Sequence, residues 1–159
     1  MTSIADVQAV WLAEVFQNSA ITAITTNILD YQFVDESQAE VEQLYKHDGD
    51  GVGEINFFEY LVENPNETII EVGGQANPEK QFVVDVRYTK ALDVAGNAEN
   101  EIKAAIETIK DTVRTELGAT WSTLDVKTAL EIITEGITRE EVNQTLCVRQ
   151  VVTFRASKQ

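Results

Sequence analysis

The sequence predicts an α+β fold: a twisted antiparallel β-sheet with a long helix packed across one face, preceded by an N-terminal helix. Two patterns carry this prediction. Apolar residues recur at helical spacing near the N-terminus and again between Ile102 and Leu117. They alternate with polar residues between Gln81 and Leu92 and between Leu146 and Ala156. One antiparallel sheet with the long helix across it accommodates every strongly patterned segment.

Size and composition indicate one domain. At 159 residues and 43% hydrophobic residues, the chain can bury one core, and we expect a single domain over residues 1–159. No stretch approaches the ~20 apolar residues that cross a bilayer, so no membrane partner is expected. The N-terminus lacks the layout of a signal peptide. With Cys147 as its only cysteine, the chain has no disulfide framework, which favours a reducing compartment.

The N-terminal helix is predicted from a capping-box-like pair, Ser3 and Asp6, and from an apolar stripe. That stripe comprises Ile4, Val7, Trp11 and Val15, widened by Val10, Leu12 and Phe16. Residues 19–45 can be read as helix or strand, because isoleucines at helical spacing are mixed with threonines. Within them, residues 35–45 are predicted as a short, mostly exposed helix.

The next predicted elements are strands. Residues 54–63 are predicted to form a strand that is apolar on both faces, and it ends at Pro65 because proline has no N–H to donate to a neighbouring strand. Residues 68–72 predict a shorter strand, closed by two glycines and followed by a loop around Pro78. In the strand predicted over residues 81–92, one face carries Phe82, Val84, Val86 and Tyr88.

The long helix begins after Gly96-Asn97 and presents the stripe Ile102, Ala105, Ile106, Ile109, Val113 and Leu117. Gly118 suits the left-handed position after a helix, and Glu99 with Lys103 suits an exposed i,i+4 pair. Two strands finish the chain, over residues 126–135 and 146–156, the second with Leu146, Val148, Val152 and Phe154 facing inward.

The charge is unevenly distributed. Residues 1–78 hold 14 acids and one base, Lys46, whereas residues 79–159 hold 13 acids and 11 bases; the net charges of −13 and −2 account for the total of −15. This excess argues against binding bare nucleic acid through its phosphates. It is compatible with a solvated surface, with a surface that faces something negative without binding it, and with one that captures a positive partner.

Residues 48–59 resemble the calcium loop of the EF-hand family. Asp48 and Asp50 occupy the first and third positions of that loop, Glu54 the seventh and Glu59 the twelfth. Val52 stands at the fifth position, where an oxygen ligand belongs. The alternative is a glycine-rich turn that leads into a strand, which Asp-Gly dipeptides favour by themselves. Calcium is the only cofactor that the sequence raises, and our main hypothesis has none.

No catalytic constellation is visible in the sequence. His47 is the only histidine and is flanked by acids on an expected loop. Cys147 falls within a predicted strand, where a packed thiol is the simpler interpretation. No phosphate-binding glycine loop or Cys/His metal spacing occurs. We therefore expect a protein that binds or assembles and is not an enzyme.

Four bases fall on two strands that could be neighbours, namely Arg87, Lys90, Arg149 and Arg155. The arginines are expected to project away from the core and to form a basic strip. One interpretation is ordinary cross-strand pairing with Asp85 or Glu131. The other is a head-to-tail interface, in which this strip meets the acidic N-terminal half of the next copy and the copies close into a ring.

The overall plan resembles the tail terminator proteins of tailed bacteriophages. The likeness rests on the N-terminal helix, the strand of residues 82–88, the long helix opened by residues 96–98 and the final strands ending at residues 151–155. It implies a subunit of a ring, usually a hexamer, that caps the tail tube and joins it to the head connector in the virion. DNA would pass through the lumen without specific binding. The acidic stretch 46–53 has no counterpart in that pattern.

Two other functions remain open from the sequence. An acidic protein of this kind can mimic DNA and occupy the basic cleft of a nucleic-acid-binding host protein, which predicts a monomer with carboxylates along one face. A calcium-binding module using residues 48–59 predicts metal-dependent stability instead.

Overall fold

A computed structural model describes residues 4–25, 28–30, 55–63, 67–72, 75–92, 96–117, 131–142 and 145–158. The helices and strands, numbered along the chain, are α1 (Ile4–Trp11), α2 (Ser19–Thr22), β1 (Ile28–Asp30), β2 (Asn56–Glu63), β3 (Glu67–Val72), β4 (Gln75–Ala91), α3 (Ala98–Thr112), β5 (Glu131–Thr134), β6 (Thr138–Val142) and β7 (Thr145–Lys158). Both α1 and α3 continue into a five-residue π-helical segment, Leu12–Phe16 and Val113–Leu117 respectively.

The strands form one sheet in the order β1-β2-β4-β7-β5, with β3 paired to β4 and β6 paired to β7. All pairings are antiparallel except that of β1 with β2, which is parallel. The α+β class is therefore confirmed. The sheet departs from the prediction at this edge, in the length of β4 and in the strand β6, which lies where a connection between the last two strands was expected. A parallel pair needs a long connection, which residues 31–55 have the length to provide.

β4 is the central strand, and it is longer than predicted. It runs through Pro78, which was expected in a loop and instead lies opposite Ile69 of β3. β7 pairs with β4 only from Lys80 onward, so among the described strands β3 alone pairs with β4 at Pro78. Proline is tolerated at such a position because the side of the strand on which it lacks an N–H can be the side without a partner strand.

The main core lies between one face of the sheet, here called the inner face, and the helices. Phe82, Val84, Val86 and Tyr88 of β4 are buried on this face, as the alternation predicted. The whole predicted stripe of the long helix is also buried: Ile102, Ala105, Ile106, Ile109, Val113 and Leu117. A 3.6-residue period on α3 and a two-residue period on β4 thus cover each other's apolar faces.

The N-terminal helix adds an aromatic cluster to this core. The Trp11 ring lies 5.1 Å, centroid to centroid, from that of Phe154 on β7, and the Phe16 ring lies 4.7 Å from that of Tyr60 on β2. Such tilted pairs contribute beyond the area they bury. Val7 and Val15 are buried as predicted.

Three residues assigned to apolar faces are instead exposed. Ile4 and Leu12 lie at the margin of the α1 stripe, and each remains 40% exposed. Leu146 is 48% exposed, although its parity along β7 matches that of buried Val148. It pairs with Glu141 of the edge strand β6, so it has the correct parity but lies at the margin of the sheet.

The ambiguous stretch after residue 18 contains both kinds of structure. The Asn18 side chain accepts a hydrogen bond from the Ala20 N–H at 3.0 Å and caps α2. Ile21 is buried by this short helix, whereas Ile28 begins β1. The helix predicted over residues 35–45 and the cap predicted at Gly118 lie outside the described residues.

At the start of α3, Gly96 has a φ of 74°, the left-handed conformation that glycine adopts at little cost. The Glu99 carboxylate accepts hydrogen bonds from Nε and Nη2 of Arg139 on β6, at 3.0 and 2.5 Å. It was expected to pair with Lys103 on the same helix. The Arg139 guanidinium donates two N–H groups to this carboxylate, and a lysine at the i+4 position cannot provide that planar pair of donors.

In the part of the chain that the structure describes, no helix has the length and apolarity to cross a membrane. For the strand predicted over residues 126–135, the described part is β5, residues 131–134.

We expect Ile106→Ala to lower the free energy of unfolding by about 2–5 kcal/mol, because it leaves a cavity in the core between α3 and the sheet. The matched control, Lys103→Ala on the exposed side of the same helix, should change it by less than about 0.5 kcal/mol. Urea denaturation followed by circular dichroism measures both. Equal effects of the two changes would contradict the assignment of the buried face.

Candidate functional site

The face of the sheet opposite the helices, here called the outer face, carries most of the predicted basic strip. β4 and β7 are neighbours as expected, with Arg87 opposite Val151, Thr89 opposite Arg149 and Val83 opposite Arg155. The three arginines share the parity of the outer face, so they project away from the main core as predicted. Lys90 has the opposite parity and lies on the inner face with Tyr88.

Arg87 is held by Glu59, the residue directly opposite it on β2. Its Nε and Nη2 donate to Glu59 Oε1 at 3.0 and 2.8 Å, and Nη2 also donates to Oε2 at 2.9 Å. The Glu59 side chain is 7% exposed and that of Arg87 is 20% exposed. A planar guanidinium that meets a carboxylate in this way forms the strongest kind of protein ion pair.

Arg149 is buried and has partners on both sides. Its Nε donates to Thr89 Oγ1 at 3.1 Å, and its Nη1 donates to a carboxylate oxygen of Glu140 on β6. Two rows further along the outer face, the Thr153 hydroxyl donates to Asp85 at 2.6 Å. Glu59 and Glu140 thus engage Arg87 and Arg149. The sequence suggested Asp85 or Glu131, the nearest acids on the same or the expected neighbouring strand.

Arg155 is the one arginine of the predicted strip that remains exposed. It lies in register with Val83 on one side and Glu131 on the other. The outer face therefore does not present a continuous basic strip: Arg87 and Arg149 are engaged within the chain, and Lys90 lies on the other face. Whether Arg155 contacts another copy stays a prediction.

Lys90 forms an ion pair with Glu101 of α3 across the inner face. Beside it, the Tyr88 hydroxyl donates to Asn56 Oδ1, and the Asn56 amide donates to the Ile24 carbonyl at 3.2 Å. Burial, and to a lesser extent the negative charge of Glu101, raises the pKa of Tyr88 above its ordinary value. This side chain therefore stays a neutral hydrogen-bond donor at physiological pH.

The residues that resemble a calcium loop are only partly placed. Asp48, Asp50 and Glu54 lie outside the described residues. Glu59 stands in the middle of β2, where the EF-hand pattern requires the start of a helix, and both of its oxygens face Arg87. The alternative of a turn that leads into a strand agrees with β2. Among the described residues, no group of three or more metal-binding side chains comes together.

Cys147 lies in a small second apolar cluster on the outer face, with Ile55, Phe57 and Ala91. Burial raises the pKa of its thiol to about 11, against a smaller opposing effect of Arg149. The thiolate, which is the reactive form, is therefore scarce at neutral pH. His47 lies outside the described residues.

Sequence reasoning missed two features of this region. Glu59 was assigned to a metal loop, although its place opposite Arg87 follows once β2 and β4 are paired. The Lys90–Glu101 pair was also missed, because it joins a strand to a helix and depends on how α3 crosses the sheet. The signal that could have found it is the even-numbered parity of Lys90, which places it on the face of Val84, Val86 and Tyr88.

No protein-family model matches the chain, and no curated protein matches it.

We expect Glu59→Ala to lower the free energy of unfolding by about 3 kcal/mol, because it leaves the mostly buried Arg87 guanidinium without its carboxylate. Replacing both residues by methionine should recover most of that loss, since apolar packing then substitutes for the pair. Chemical denaturation of the parent, Glu59→Met, Arg87→Met and the double methionine variant gives the coupling energy. Additive effects of the two single changes would show that the pair has no energetic coupling.

We expect Cys147 to react slowly with an alkylating reagent in the native protein at pH 8 and rapidly in urea. Its pKa also has a consequence for stability. The thiol is protonated in both states below pH 9, and between pH 9 and about 11 it ionises only when unfolded, so its contribution to the unfolding free energy falls as pH rises through that window. Fast native alkylation at pH 8 would contradict its burial.

Proposed function

We propose that this chain is a structural assembly protein of a bacteriophage tail or neck, a tail terminator-like subunit that forms a ring at the top of the tail tube and joins it to the head connector. The order of its helices and strands, on which the resemblance rests, supports this proposal. So does the sheet built around β4 and β7, with α3 across its inner face.

The observation that carries the proposal is the way in which charge is compensated. Among the described residues, five ion pairs join two residues of the C-terminal half, residues 79–159. Another, Glu59–Arg87, uses one acid of the N-terminal half. Five C-terminal bases are thus paired with acids of their own half, namely Lys90, Lys110, Arg114, Arg139 and Arg149. The 14 acids of residues 1–78 have only Lys46 as a base in their own half.

A strongly negative half suits a ring through which DNA slides. Several carboxylates per subunit, repeated around a closed ring, give a lumen that repels phosphate, so DNA passes without being held. The nearly balanced C-terminal half is then available for contacts with neighbouring copies, the tail tube and the connector. In this proposal the protein works in the virion without a cofactor and without catalysis.

The alternatives find less support. A calcium-binding module would need Glu59 as its bidentate ligand, and this carboxylate is already bound in a bidentate manner by Arg87. A DNA mimic remains compatible with the charge of −15 and with carboxylates along one face, but it does not require self-association. The oligomeric state therefore distinguishes the two readings.

Native mass spectrometry of the concentrated protein, with and without calcium, tests the proposal. We expect a closed oligomer of about six copies whose mass does not depend on calcium, and rings in negative-stain electron microscopy. A monomer that binds a basic host protein would favour the DNA mimic and contradict the ring. A monomer that gains one calcium ion would contradict both readings.

A further inference from the structure

The two flanks of α3 differ in what they contact. On one flank, Glu101, Ala104 and Thr108 face the region of α2. On the other flank, Glu99 is bound by Arg139 of β6. Near the start of α3 the two flanks therefore point in opposite directions, whereas further along the helix the Asp111–Arg114 ion pair joins them. A ring built from identical copies requires such a pair of different surfaces, because each copy meets its two neighbours through opposite sides.

The α2 flank carries an open groove. Two depressions, each of about 260 Å³, lie along it and share Thr108 as a common wall. Lys90 and Glu101 lie at one end, whereas Asp111, Thr115 and Glu116 lie at the other. We call the two depressions together the α2–α3 groove.

Its second end carries several hydrogen-bond acceptors beside the Asn18 amide and the Thr115 hydroxyl. The Thr108 hydroxyl donates to the Ala104 carbonyl at 2.9 Å, and the Thr112 hydroxyl donates to the Thr108 carbonyl at 2.8 Å. Both hydroxyl hydrogens are thus used within the helix, and lone pairs remain for the groove. The carboxylates of Asp111 and Glu116 can only accept when ionised. A side chain rich in donors and carrying positive charge complements this end.

Exposed bases of that kind lie on the opposite flank. Four bases have side chains that the structure describes as exposed: Lys103, Arg114, Arg139 and Arg155. At 100° per residue, Lys103 and Arg114 lie on the Glu99 side of α3, next to Arg139 of β6. Three of the four exposed bases therefore share one flank, here called the β6 flank. Arg139 is the most prominent, with 60% of its side chain exposed.

We propose that the α2–α3 groove of one copy receives the β6 flank of a second copy, with the Arg139 guanidinium placed against Asp111. This inference rests on the proposed ring and names its subunit interface. Two chains of net charge −15 repel each other at a distance, so a stable contact must bring together patches of opposite sign. The only exposed flank with three described bases then meets a groove with acceptor chemistry.

The dimensions agree with this contact. The groove follows α3 from Glu101 to Glu116, a length of roughly 22 Å at the helical rise. The five residues of β6 extend over roughly 17 Å. Asp111 is 72% exposed and accepts a hydrogen bond from Arg114, and an ionised carboxylate has further lone pairs for a second guanidinium.

Charge reversal at the two sides tests the inference. We expect Asp111→Arg alone, and Arg139→Glu alone, each to weaken self-association by about tenfold or more, measured as the oligomer fraction in native mass spectrometry. The double variant, in which both charges are exchanged, should regain oligomers, since the contact between positions 111 and 139 is then attractive again. Arg155→Glu is the matched control, because it reverses an exposed arginine outside both flanks and should assemble like the parent.

Folding must be separated from assembly in these variants. Arg139→Glu places an acid beside Glu99, so Arg139→Gln serves as a milder second variant, and thermal unfolding of each variant reports its fold. Single variants that are folded and assemble like the parent would overturn this interface and leave the ring intact. A parent that stays monomeric would overturn the proposed ring and this interface together. Loss in the singles without recovery in the double would also overturn the Arg139–Asp111 contact.

Discussion

The antiparallel pairing of β4 with β7 is the interaction on which the other parts of the fold depend. The register runs without a break from Lys80 opposite Lys158 to Ala91 opposite Cys147. β2 and β3 attach to the free edge of β4, whereas β5 and β6 attach to the free edge of β7. Because side chains alternate along a strand, this single register fixes which residues of all these strands face the helices.

The same register gives the sheet two chemically different faces. The inner face is apolar and covered by α1 and α3. The outer face has an apolar end around Cys147, then Arg149 and Arg87 in their buried pairs, and then the exposed end at Arg155. Burying charges is costly unless they are paired, so these arginines specify partners across strands as much as they stabilise them. Arg87 and Arg149 are consequently not available for contacts with other molecules.

Periodicity in the sequence predicted the parts of the fold in which one face is buried over several turns or residues. The stripe from Ile102 to Leu117 and the alternation from Phe82 to Tyr88 are of this kind, and both are confirmed. The parallel edge, the strand through Pro78 and the pairing of Glu59 with Arg87 could not be predicted in this way. Each depends on which distant segments become neighbours, and a local pattern does not contain that information. For the candidate site, sequence identified the arginines and their outward direction but not the acids that engage them.

The hairpin of β3 and β4 has a mechanical consequence. From Gln75 to Glu79, β4 pairs with β3 alone among the described strands, whereas from Val83 onward it is flanked on both sides by β2 and β7. A two-stranded ribbon is only marginally stable by itself, while a strand in the middle of a sheet opens only with the whole domain. Hydrogen-bonded amides along this one strand should therefore exchange with solvent over a wide range of rates, fastest near Gln75 and slowest near Val86. The ribbon can adapt its shape to a neighbouring surface while the domain that carries it stays folded.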